Sequence, residues 1–153
     1  MAILLVTAPL TGVVLSAVPA HAAACWNTSC DYHSNGICTD WQWKGNSKIF
    51  DAAGNNTGEI DLWYSPSCGA AFAGAWYYTA CGCGGPPPGY AHEYGLVAWT
   101  NGIRRAETIG GTSSSGGWYI TLMLGDAVSN QIAKGEAMYS TAPGQPWNYT
   151  PGY

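Results

Sequence analysis

The sequence predicts an all-β fold, a small disulfide-stapled sandwich or barrel with an extended cysteine-rich N-terminal arm. Three observations lead there. Residues 58–65 alternate, with Ile60, Leu62 and Tyr64 on one side and Glu59, Asp61 and Trp63 on the other, which is the period of a half-buried strand. Turn-forming clusters such as Gly54-Asn55-Asn56-Thr57-Gly58 and Ser65-Pro66-Ser67 punctuate the chain at short intervals. Six cysteines, Cys25, Cys30, Cys38, Cys68, Cys81 and Cys83, make an even set of the kind that builds a disulfide framework in an exported protein.

From the N-terminus, residues 1–22 carry no charged side chain and end in Ala20-His21-Ala22, the small-x-small pattern of a signal-peptidase site. Pro9, Thr11, Gly12, Ser16 and Pro19 interrupt this run, which argues for a cleaved signal over a membrane span. The first positive charge is Lys44, so the basic n-region usual in such signals is missing. Cys25 follows three alanines, but a lipid on it would orphan one of six thiols. Residues 23–142 then form one secreted domain, and the Pro- and Gly-rich residues 143–153 a flexible tail.

Within the domain, residues 23–40 are polar and cysteine-dense, without apolar periodicity, and read as a stapled arm. Strands are expected over 47–53, 58–65, 76–79, 94–100, 103–109, 118–124 and 136–140, the first two paired as a hairpin. Residues 127–134 are the one expected helix. Three prolines after Cys81-Gly-Cys83 make a rigid connection, whose two cysteines are expected to reach back and pin the arm.

Composition narrows the function classes. The net charge is −4 and the five basic residues form no run, so the footprint for nucleic acid or anionic lipid is missing. Charged residues are only 9%, yet eight Trp and ten Tyr follow the signal, which separates this chain from disordered ones. Most of those aromatics are expected in a β-rich core, with a minority free to stack on sugar rings.

Catalytic and metal chemistry find little support. Cys30, His33 and Cys38, or Cys81, Cys83 and His92, do not match zinc spacings, and an oxidising exterior favours bridges. A Cys81–Cys83 redox pair lacks a thioredoxin-like βαβ context. Hydrolysis needs an activated nucleophile or two positioned carboxylates, and neither His33 nor His92 sits in a nucleophile motif. Acids could be drawn from Asp31, Asp40, Asp51, Glu59, Asp61 and Glu93, but spacing brings no two together except Glu59 and Asp61 on one strand face.

Residues 25–74 resemble the YjfA-like family of small secreted bacterial (actinobacterial) proteins, a domain of unknown function. The resemblance lies in Cys25-x4-Cys30-Asp31, Gly36-x-Cys38, and the block Gly58-Glu-Ile-Asp-Leu-Trp-Tyr-Ser-Pro-Ser-Cys68-Gly-Ala-Ala, with a weaker echo at Tyr119-Ile-Thr-Leu-Met123. The chain has Trp63 where the family usually has Arg, and Phe72-Ala73-Gly74 for Trp-Ala-Arg. The resemblance implies export and a cysteine-bearing fold, and no activity.

The expectation is therefore a secreted, non-enzymatic binding module, its ligand a cell-wall or other polysaccharide. An adapter or inhibitor of another secreted protein and a weak extracellular hydrolase are the alternatives. No cofactor, metal, catalytic residue, nucleic acid or membrane enters the mature form. Trp41, Trp43 and Trp63 with Glu59 and Asp61 are the candidate ligand-binding residues. With all six thiols bridged, intact mass under non-reducing conditions should fall about six daltons below the reduced value. Two or more alkylatable cysteines in the native exported protein would contradict this.

Overall fold

The computed structural model describes residues 25–78, 86–87, 89–113 and 116–153. The predicted signal and Cys81 and Cys83 lie outside the described residues. Two antiparallel sheets make up the fold, and no helix among the described residues is long and apolar enough to cross a membrane. The first sheet holds β1 (Gln42–Phe50), β2 (Asn56–Ser65), β3 (Ala70–Tyr77), β6 (Gly117–Ile120) and β7 (Leu124–Gly125). The second is ordered β5 (Ile103–Ser113), β4 (His92–Thr100), β8 (Gln131–Met138) and β9 (Asn148–Tyr149). The sandwich alternative therefore holds.

The alternation in residues 58–65 does what the pattern predicts. Ile60 and Leu62 are fully buried between the sheets, while Glu59, Asp61 and Trp63 face outward. The predicted hairpin forms, with β1 paired to β2. Its turn is held by Asp51, whose Oδ1 accepts from the backbone N–H groups of Ala53 (2.9 Å) and Asn55 (2.8 Å). β3 carries the centre of the sandwich, since Ala71, Ala73, Ala75 and Tyr77 face inward against Leu96, Ala98, Ala133 and Ala137 of the other sheet. The Tyr77 hydroxyl crosses the interface and donates to the carbonyls of Glu93 (2.7 Å) and Met138 (3.2 Å).

One expectation about this core is overturned. Not one of the eight tryptophans is buried in it; its aromatics are tyrosines, namely Tyr77, Tyr94 and Tyr139. Six alanines line the interface, and leucines, isoleucines and tyrosines fill the rest of it.

Two segment assignments also change. Residues 127–134 form no helix: Gln131–Met138 is β8, paired along its whole length with β4. Ala, Gln and Lys favour helices, but pairing and burial beside β4 override that preference. Nor is 143–153 a loose tail. Asn148–Tyr149 pairs with β8, Thr150 is buried and donates its N–H to the Gly135 carbonyl (2.9 Å), and Ala133 N–H reaches the Tyr153 carbonyl (3.0 Å). The segment completes the second sheet, because β8 would otherwise expose an unpaired edge.

The predicted strand over 118–124 is broken in two. Between β6 and β7, Thr121 keeps contact with β3 by donating its N–H to the Ala73 carbonyl (2.9 Å) and accepting the Ala73 N–H on Oγ1 (3.0 Å). The break is where the N-terminal arm enters. Tyr32 N–H donates to the Met123 carbonyl (2.8 Å), and Met123 N–H to the His33 carbonyl (2.9 Å). Met123 is buried with Cys25, Cys30, Cys38, Cys68, Ala70 and Phe72 in a second, smaller core.

Covalent ties hold this arm, as expected, though not by the expected partners. Cys25 pairs with Cys30 and Cys38 with Cys68, so every cysteine of the arm is taken and none awaits Cys81 or Cys83. Polar contacts reinforce the bridges. Asp31 forms an ion pair with Arg105 of β5 and accepts the Gly125 N–H (2.7 Å), linking the arm to both sheets. Gly125 has to be glycine, because a Cβ there would lie 2.2 Å from the Asn27 carbonyl carbon. Asp40 accepts from Ser67 N–H (2.8 Å) and from the Ser65 hydroxyl at the β2–β3 corner.

Removing the tie with Cys38→Ala plus Cys68→Ala should cost about 2–4 kcal/mol in denaturant unfolding. Limited proteolysis should then cut within residues 25–40 before the strands are touched. Unchanged stability and an uncut arm would show that the polar contacts suffice.

Candidate functional site

The outer face of the first sheet gathers the chemistry-bearing residues. Register fixes the rows: Lys48, Glu59, Trp76 and Trp118 lie side by side across β1, β2, β3 and β6, with Asn46, Asp61, Gly74 and Ile120 in the next row and Trp43, Trp63 and Phe72 after that. The arm covers one end of this face. Phe72 is buried there, with Trp41 edge-on to it at 4.6 Å and Trp63 stacked parallel at 6.2 Å. The other end is open.

Of the five predicted residues, four share the open face or its border. Trp43 is 54% exposed, and its indole N–H donates to Asp61 Oδ1 (3.1 Å). Glu59 Oε1 accepts from Asn46 Nδ2 (2.6 Å). Trp63 sits half-buried at the edge of the arm, its indole nitrogen without a hydrogen-bond partner among the described residues. Trp41 belongs to the arm instead; it is half-buried and donates to the Asn35 carbonyl (3.2 Å), so its work is packing. The two tryptophans do lie on the same side of the sheet, but a bulge at Lys44 separates the next residues from that alternation.

The structure adds Trp76, Trp118 and Tyr78, which the sequence reading left out. Together with Glu59 and Asp61 they line a furrow of about 240 Å³. Trp76 and Trp118 are 47% and 43% exposed, their rings 6.2 Å apart and tilted by 46°. Gly74 creates the space they need: a Cβ at that position would fall 2.3 Å from the Trp118 ring. The signal for Trp76 was present as the second side of β3, where Phe72, Gly74 and Trp76 alternate with inward alanines. It was masked because both sides are apolar.

Burial raises the Asp61 carboxyl above its ordinary value; the Trp43 N–H opposes this and the neighbouring Glu59 charge adds to it. Two carboxylates on one side of a strand, walled by indoles, present acceptors and π faces together. Such a surface binds flat, hydroxyl- or ammonium-bearing groups. It carries no nucleophile–base pair, which acyl transfer would require.

A second carboxyl cluster lies on the other sheet. Glu136 of β8 is buried to 3% exposure beside Glu107, and its Oε1 stands 3.7 Å from Arg104, which also ion-pairs with Glu107. Burial and then the Glu107 contact push Glu136 up to about 7. Asp126 is likewise raised to about 7, by burial against the pull of the Ala133 N–H and of Arg105. Both lie beneath their neighbours and serve the fold.

Of the metal and redox groupings that the sequence disfavours, the Cys81–Cys83 pair lies outside the described residues. The sulfurs of Cys25, Cys30 and Cys68 lie within 4.8 Å of one another, but all are consumed in disulfides and offer no thiolate. His92 is a core residue stacked on Tyr77 at 4.0 Å.

The raised acids give a pH dependence with a definite sign. A carboxyl whose folded pKa exceeds its unfolded one favours folding while protonated, so its contribution is complete below about pH 4 and is lost as pH rises through about 7. The contribution of these two acids to the melting temperature should therefore fall between those limits. His92 contributes oppositely, because burial lowers its pKa and favours folding with the imidazole neutral. Glu136→Gln and Asp126→Asn should each make the profile less downward-sloping than wild type. A profile identical to wild type in both variants would show that these acids do not control it.

No family model matches the chain, and no curated protein or solved structure is similar enough to match it.

Proposed function

We propose that this chain is a secreted, non-enzymatic binding module that holds a polysaccharide on the open outer face of its first sheet. The observation that carries the reading is the exposure of Trp43, Trp76 and Trp118 on one sheet face, with Glu59, Asp61 and Asn46 between them. A sugar ring offers an apolar face to an indole and hydroxyls to carboxylate and amide groups, so both halves of this surface have a use. Exposed indoles are costly in water, and three on one face form a patch of the kind that marks an interaction site. Export is supported by the apolar N-terminus with its Ala20-His21-Ala22 site and by two disulfides, which persist in oxidising surroundings. The YjfA-like resemblance points the same way.

The test is retention on insoluble polysaccharides (chitin, cellulose and peptidoglycan) followed by affinity electrophoresis. Wild type should be retained on at least one. Trp76→Ala and Trp118→Ala should each weaken that binding about thirtyfold, the scale of an aromatic anchor worth about 2 kcal/mol, with the melting temperature little changed. Retention on none of them, with capture of a secreted protein through the same tryptophans, would make the chain an adapter.

A further inference from the structure

The furrow lined by Glu59, Asp61, Trp76, Tyr78 and Trp118 carries more information than a stacking platform alone. We infer that it selects a glycan bearing free amino groups, a polymer of glucosamine type, over neutral or N-acetylated chains. This rests on the polysaccharide-binding reading and specifies its ligand.

Three features favour a cation in this cavity. Glu59 and Asp61 are two apart on β2 and share its outer face, so their charges face one furrow. Among the described residues neither makes an ion pair; the only cation on this face is Lys48, cross-strand from Glu59 and outside ion-pair distance. The partners the two acids do have are neutral donors, the Asn46 amide and the Trp43 indole, which orient the carboxylates without cancelling their charge. A sugar hydroxyl accepts a place beside a carboxylate, but only an ammonium relieves the repulsion between two of them.

The walls point in the same direction. Trp76 and Trp118 flank the acids, and an indole face attracts a cation through its quadrupole. An amine on a pyranose ring meets both requirements in one residue, since the ring stacks while the ammonium reaches the carboxylates. The chain's net charge of −4 adds a long-range attraction for a polycation. A lysine-rich peptide shares the ammonium but lacks a rigid apolar ring face for the indoles.

The experiment compares glucosamine hexamer, N-acetylglucosamine hexamer and cellohexaose by calorimetry with the intact mature chain at about pH 6, where the free amines carry charge. The glucosamine oligomer should bind at least tenfold more tightly than the other two, and that preference should shrink in about 0.5 M salt. Glu59→Gln and Asp61→Asn keep an acceptor for Asn46 and Trp43, so the fold should survive. Each should erase most of the preference, lowering the affinity for the glucosamine oligomer far more than that for cellohexaose. Equal affinity for all three oligomers, or a preference that survives both substitutions, would overturn the amine inference and leave the polysaccharide reading standing. Binding of none would overturn the amine inference, and the polysaccharide reading would then stand or fall on peptidoglycan retention. Polylysine bound more tightly than the glucosamine oligomer would show that a basic peptide is the occupant.

Discussion

The shared core between the two sheets governs the rest of this molecule. Ala71, Ala73 and Ala75 of β3 and Ala98, Ala133 and Ala137 of the opposite sheet share the interface with three leucines, two isoleucines and three tyrosines. Interiors pack at near-crystalline density, and this one is already filled by its aliphatic and tyrosine side chains. The tryptophans are consequently displaced to the outer faces and the rim. The exposed platform lies on the outside of the same strands whose inner faces build the core.

The N-terminal arm adds to this core on one side. It brings its own small core around Cys30, Cys38, Cys68, Phe72 and Met123 and caps the Phe72 end of the outer face. The Cys38–Cys68 bridge, the Asp31–Arg105 pair and the backbone bonds at Met123 tie it to the corner after β2, to β5 and to the gap between β6 and β7. The broken strand is therefore a docking slot. Its unpaired backbone groups would be costly if buried alone, and the arm supplies their partners.

Local pattern made the fold class legible, and long-range pairing hid what was missed. The alternation of Ile60, Leu62 and Glu59, Asp61 needs only a pleated strand with one wet side, so it can be read directly. In β8, helix-favouring Ala133 and Lys134 are held extended by β4 on one side and the C-terminal segment on the other, and neither neighbour is visible locally. The site was half legible for the same reason. Glu59, Asp61 and Trp63 share one strand, whereas Trp76 and Trp118 join them only through cross-strand register. Trp41 looked equivalent to Trp43 by spacing, but the arm, whose path depends on the Cys38 bridge, covers one and leaves the other exposed.

That division of the outer face separates stability from recognition. At the covered end, Trp41 and Phe72 are packed and their loss would be felt as a cavity. At the open end, Gly74 gives up its side chain so that Trp118 can lie over β3, and a methyl group there would push the ring away from Trp76. A glycine in mid-strand weakens the strand it occupies, and here it clears the floor on which two indoles and two carboxylates converge. The loss falls on β3, a central strand with β2 on one side and β6 and β7 on the other. Such an opening is tolerable at the centre of a sheet where it would destabilise an edge.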